Sequence, residues 1–206
     1  MPSSELLDET MAPWNIDSSL VQVHEISGQG QFGAVYRASW SGAPVALKRM
    51  HDERKIALFK TEFDIMKNLR HPNIVQVFGF VQEGANGMSI VMEYLPNGSI
   101  ENYITAANPG KPPREDLRHM WCIQMAQALG HLHNLEPNLI IHRDVKPGNF
   151  LLSASLDIKL ADFGVSRVLK TDRKNPDPPE QEISRTSKSK VLEPLSIPPL
   201  KSKVLE

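Results

Sequence analysis

An α+β fold in two parts is what this 206-residue sequence predicts. Three observations predict it. Short apolar and alternating segments fill the stretch from Val21 to Tyr94, a single helical stripe interrupts them, and a longer amphipathic helix follows a Pro96-Asn97-Gly98 turn.

Residues 1–19 read as a short arm. Val21-Gln22-Val23-His24-Glu25-Ile26 alternates as a strand does, Ala34 to Trp40 follows a glycine-rich turn, and Val45-Ala46-Leu47 and Ile90-Val91-Met92 are short apolar runs. Between them, Ile56, Phe59, Phe63, Met66 and Leu69 recur at three- and four-residue spacing and predict a helix from about Asp52 to Leu69. The turn at residues 96–98 is the expected hinge between a part spanning 20–95 and a part spanning 96–170. A second helix is expected from Glu115 to Leu135, with Leu117, Trp121, Met125, Ala128, Leu129 and Leu132 on one face. Phe150-Leu151-Leu152 and Ile158-Lys159-Leu160 are strand candidates.

From residue 171 to 206 the composition changes to Pro, Ser and Lys, as in a disordered tail. Lys-Ser-Lys-Val-Leu-Glu occurs there twice, at 188–193 and 201–206, too few copies for a solenoid.

A formal net charge of -1 gives no electrostatic case for nucleic acid or an anionic membrane as partner. The single cysteine, Cys122, forms no internal disulfide and suits a reducing compartment. Acidic Glu5, Asp8 and Glu9 stand where a secretory leader would be basic, Pro2 excludes N-myristoylation, and no apolar run reaches membrane-spanning length. A soluble cytoplasmic protein is the expectation.

Four segments carry chemistry. Gly28-Gln29-Gly30-Gln31-Phe32-Gly33 is followed by strand-like Ala34-Val35-Tyr36 rather than a helix, so it reads as a glycine hairpin whose backbone N–H groups can approach phosphates. Lys48 ends the Val45-Ala46-Leu47 run. A strand-end lysine ordinarily snorkels to solvent. Here, however, Glu62 shares the inward stripe of the first helix, where a carboxylate is costly without a cation. Each residue makes the other less odd, and a lysine so held presents a fixed charge to phosphate oxygens.

His142-Arg143-Asp144-Val145-Lys146-Pro147-Gly148-Asn149 can act on one phosphoryl group. Asp144 would accept or orient a hydroxyl proton, Lys146 would neutralise charge, and Asn149 would offer an oxygen to a hard cation. Asp162-Phe163-Gly164 follows a strand and places Asp162 to bind Mg²⁺.

Taken in order, these motifs resemble the eukaryotic protein kinase family over about Val21 to Lys170. Lys146 resembles the serine/threonine type, and Trp40-Ser41-Gly42 resembles the tyrosine-kinase-like group, which includes Raf-like and mixed-lineage kinases. The resemblance implies a two-lobe fold: a small lobe of antiparallel sheet plus one helix, and an incomplete, mainly helical large lobe. It implies ATP and Mg²⁺ as ligands, a protein substrate bearing Ser or Thr, and a part in signal transduction. Glu93 to Leu95 would be the adenine-binding hinge, Met92 the gatekeeper, and Val35, Ala46 and Leu151 the walls of an adenine slot. Met66, Val77, His142 and Phe163 would form a packed column joining the lobes, and Arg143 would receive an activation-segment phosphate. An Ala-Pro-Glu motif is not found between Val165 and Glu206. The expectation is therefore weak or absent phosphotransfer by the isolated chain, with a protein partner covering the exposed large-lobe helix. An inactive nucleotide-binding decoy, or an unstable truncated product, is the alternative.

Overall fold

In the computed structural model, residues 11–30, 33–50, 56–83, 87–107 and 112–170 are described. The tip of the glycine hairpin (31–32), the start of the expected first helix and the Pro- and Ser-rich tail all lie outside them.

The small lobe is a five-stranded antiparallel sheet of order β1-β2-β3-β5-β4. Its strands are β1 (Val21–Gly30), β2 (Gly33–Trp40), β3 (Ala43–Met50), β4 (Val77–Glu83) and β5 (Gly87–Glu93). β3 is central, and its buried Val45, Ala46, Leu47 and Met50 make it the apolar run that the sequence shows. β1 is an edge strand, and there the alternation does not mean burial: Val23 is 40% and Ile26 57% exposed. β4 has no clean sequence signature because an irregularity between Val77 and Gly79 breaks its period.

Helix α1 (Ile56–Met66) packs Phe59, Phe63 and Met66 into the main core. It ends at Met66 rather than at Leu69. Leu69 is still buried, but its N–H turns back to the Met66 carbonyl, and Pro72 follows shortly.

Beyond Leu95 the chain makes a turn with Gly98 at φ 65°, one turn of helix α2 (Ile100–Asn102) capped by the Ser99 hydroxyl, and a π-type turn over Tyr103–Ala107. Helix α3 (Glu115–His133) buries Trp121, Ala128 and Leu132. It stops two residues before Leu135, where Asn134 turns its amide back onto the Gly130 carbonyl. Two two-stranded ladders complete the described part. One pairs β7 (Phe150–Leu152) with β8 (Ile158–Leu160), the two short strands that the sequence predicts. The other pairs β6 (Asn138–Ile141) with β9 (Arg167–Lys170), which it does not.

The two lobes share one core. Backbone bonds from Val75 to Leu160 and from Leu160 to Asn73 stitch the segment leading into β4 to β8. The Asn73 amide adds a bond to the Ile158 carbonyl.

Candidate active site

The glycine hairpin is β1 turning into β2. Gly28 pairs with Val35, Gln29 with Ala34 and Gly30 with Gly33. The last glycine is obligatory: at φ +148°, a Cβ on Gly33 would lie 2.3 Å from the Arg49 carbonyl oxygen. A Cβ at Gly28 would meet nothing within 4 Å, because that glycine faces open cavity.

That cavity, about 360 Å³, lies between the hairpin and the large lobe. Gly28, Gly33, Val35, Ala46, Lys48, Glu62, Met92, Glu93, Leu95, Leu151, Asn149 and Asp162 all line it. Register explains the apolar slot: Ala46 stands opposite Met92 across β3 and β5, and Val35 sits above on β2, opposite Lys48. The Glu93 carboxylate turns away to take the Gln76 N–H (2.7 Å) and the Lys159 ammonium (2.9 Å). The Glu93 N–H is spent as well, donating to the Gln76 carbonyl at 2.9 Å, so of this residue's backbone only the carbonyl is left to meet a ligand.

The first ion pair forms as the stripe argument requires. Lys48 Nζ donates to Glu62 Oε1 at 2.6 Å and Oε2 at 2.9 Å, and to Asp162 Oδ1 at 2.9 Å. Burial works against the Lys48 ammonium, but Glu62 and Asp162 together outweigh it and hold its pKa above the ordinary lysine value. Burial is also the largest influence on Glu62 and raises its carboxyl. Lys48 pulls the other way, Asp162 adds to the rise, and the Phe163 N–H helps stabilise the anion. The two partners move up for different reasons: Lys48 because two carboxylates outweigh its burial, Glu62 because burial outweighs the pull of Lys48.

Asp162 itself adopts φ 62°, and Arg143 φ 67°. Left-handed backbone at such residues costs about 1–2 kcal/mol each and persists where surrounding structure imposes it.

The catalytic-loop segment is held by the imidazole of buried His142. Its Nε2–H donates to the Ala161 carbonyl at 2.9 Å, while Nδ1 accepts the Asp144 N–H at 3.3 Å. Burial lowers its pKa, which suits this neutral tautomer. The ring packs edge-on to Phe163 at 4.9 Å. Met66, Val77 and Phe163 are each at most 1% exposed and share one cluster, so the four expected column residues are all buried.

Asp144 and Lys146 stand beside the cavity rather than in its wall. Asp144 Oδ2 accepts from Lys146 Nζ at 2.6 Å and from Asn149 Nδ2 at 2.9 Å. The Lys146 hydrogen bond is the main cause of the depressed Asp144 pKa. Asn149 spends its amide nitrogen on Asp144, leaving its oxygen for a cation. Arg143 is engaged locally, its Nε donating to the Val165 carbonyl.

Among the described residues no three His, Cys, Asp or Glu side chains group as a metal site. The oxygen pair of Asp162 and Asn149 nevertheless fits a hard cation that draws its remaining ligands from phosphate and water.

Sequence reasoning missed the far end of the cavity, lined by Ser99, Glu101, Asn102 and Gly148. Glu101 fills the space a side chain on Gly148 would need, its Oε2 lying 2.8 Å from that Cβ position. The Asn97-Gly98-Ser99 cap was the readable signal for this corner.

A protein kinase domain model matches residues 21–188. The chain belongs to the protein kinase domain family. The match runs past Lys170, where the motif resemblance was expected to end. Mitogen-activated protein kinase kinase kinase 7 of Homo sapiens is 36% identical over 163 residues, covering 78% of this chain and 26% of that protein. Serine/threonine-protein kinase VIK of Arabidopsis thaliana is 39% identical over 150 residues, covering 69% and 33%. Probable serine/threonine-protein kinase SIS8 of Arabidopsis thaliana is 39% identical over 152 residues, covering 72% and 14%. This kinase domain thus spans a third or less of these relatives. Among the described residues, no helix is long and apolar enough to cross a membrane.

Proposed function

We propose that this kinase domain transfers the γ-phosphoryl group of ATP to Ser or Thr hydroxyls of a protein substrate, with Mg²⁺ as its cation. One observation carries the reading: Gly28 and Gly33 of the hairpin, the Lys48–Glu62 pair, Asp162 and Asn149 line one cavity, with Asp144 a single hydrogen bond away. Magnesium, when bound, would neutralise charge on the phosphate oxygens, and Asp162 and Asn149 are the residues to hold it.

Lys48, fixed by Glu62, gives the nucleotide phosphates a positioned ammonium. Val35, Ala46 and Leu151 offer apolar walls to adenine, and the hinge backbone at Glu93 and Leu95 offers hydrogen bonds. Asp144 is ionised, and both its contacts fall on Oδ2, so Oδ1 is the oxygen free to take the substrate's hydroxyl proton. A carboxylate with a depressed pKa is a weak base. It therefore orients the hydroxyl first and takes the proton late. Lys146 can pass from Asp144 to the phosphoryl group in flight, meeting charge as it develops. The Ser/Thr preference is supported by Lys146 and by the serine/threonine kinases the chain resembles. A cytoplasmic setting, a signalling role, and a protein partner over the face of α3 where Ile123 is 60% exposed belong to the same proposal.

Phosphate transfer from labelled Mg-ATP to the chain itself, or to a Ser/Thr peptide, tests it. The expected result is incorporation by wild type, even at the low level anticipated for the isolated chain, that Asp144→Asn abolishes. Equal incorporation by both would remove Asp144 from its role. A folded wild type that incorporates none would read instead as a nucleotide-binding module.

A further inference from the structure

Residues 11–16 precede the family match, yet Met11 and Ile16 are buried and Trp14 is half-buried against the core. We propose that they form a brace positioning α1, and through it Glu62, with Trp14 as the positioning residue. The inference rests on reading Lys48 and Glu62 as the phosphate-handling pair.

Three observations converge. Met11 is 1% exposed within the main core, and Trp14 meets Phe63 edge-on at 6.0 Å, with the Arg70 guanidinium over the indole at 5.7 Å. Phe63 follows Glu62 on α1 and carries the contact inward to Phe59 at 5.9 Å and Phe80 at 5.3 Å. The segment is also tied by backbone: the Ile16 N–H donates to the Phe80 carbonyl at 2.8 Å, and Asn15 bridges Phe80 in parallel. Finally, β4 carries glycine where the brace crosses it. A Cβ on Gly79 would lie 2.4 Å from the Trp14 carbonyl oxygen and 2.9 Å from Ile16 Cδ1.

The physical need is plain. An 11-residue helix is marginal alone and depends on packing. α1 must nonetheless hold a buried carboxylate within 2.6 Å of Lys48. The sheet supplies one wall for Phe59 and Phe63, and Trp14 closes another side of Phe63. With the brace gone, α1 keeps its fold but loses the stop that fixes its rotation, and Glu62 drifts from Lys48.

Hydrogen exchange on the full chain without nucleotide tests this, with Mg-ATP affinity measured in parallel. Trp14→Ala attacks the contact from the brace and Gly79→Ala from the floor. Each should speed exchange of the α1 amides by about tenfold, the scale of one lost aromatic pair, while β7 and β8 stay as in wild type. Trp14→Phe, which keeps a ring on Phe63, should recover most of the protection. Weaker Mg-ATP binding in the two damaging variants, rescued in Trp14→Phe, would complete the case. Unchanged α1 exchange overturns the brace. So does equal acceleration everywhere, since that is plain destabilisation. If α1 responds but wild type binds no Mg-ATP, the brace stands and the nucleotide reading falls.

Discussion

Two lysine–carboxylate pairs serve this site, both at 2.6 Å, in opposite surroundings. The side chains of Lys48 and Glu62 are 9% and 1% exposed, those of Lys146 and Asp144 53% and 29%. The small-lobe pair is buried between sheet and helix, so each charge depends on the other, and the lysine is fixed before any ligand arrives. The catalytic-loop pair lies in water, where its attraction is screened and adds little to folding. On the proposed roles, a charge that cradles static phosphates gains from being immobile, whereas one that follows a moving group gains from being free.

The contrast can be broken by substitution. Lys48→Ala strands Glu62 beside Asp162 and should cost about 3–5 kcal/mol in denaturant unfolding, as breaking buried pairs does. If it costs no more than Lys146→Ala, the burial distinction is empty. Gly33→Ala drives a methyl into the Arg49 carbonyl and should destabilise by about 1–3 kcal/mol, weakening Mg-ATP binding as the hairpin shifts. Unaltered melting and affinity would show that the roof is not held as described.

Acid sharpens the comparison on the large-lobe side. His142 is buried neutral with its pKa below the ordinary 6.5. Its contribution to stability is present above pH 6.5 and is lost as pH falls through the lower folded value. Melting between pH 7 and pH 5 should therefore decline, and His142→Phe should flatten part of that decline. An identical slope in the variant would assign it elsewhere. The smallest change expected is in the stability of Lys146→Ala. Its Tm should stay within about 1 °C of wild type, while phosphotransfer falls. A marked loss of Tm would make that pair structural.

Much of this was legible where local pattern and chemistry coincide. The stripe Phe59–Phe63–Met66 gave α1, and the same stripe made Glu62 demand a cation. The segments 142–149 and 162–164 assemble as their spacing implies, because His142 locks one onto the carbonyl preceding the other. What stayed hidden depends on distant partners. β6 and β9 are four-residue strands that exist only through each other. β4 is irregular between Val77 and Gly79, and Gly79 is a close-approach glycine only because Trp14 and Ile16, far away in sequence, lie over it. The brace itself is an arm by composition, and nothing in Met11, Trp14 or Ile16 alone says that the first and last are buried and Trp14 half-buried. Ser99 and Glu101 enter the cavity by a turn, not by a motif.

Calorimetric titration of ATP into the folded chain, with and without magnesium, tests the cavity assignment most directly. The account predicts saturable one-to-one binding that requires magnesium and disappears in Asp162→Asn without loss of cooperative unfolding. A folded wild type that takes up no heat from Mg-ATP, or an Asp162→Asn variant that binds it equally well, would contradict it.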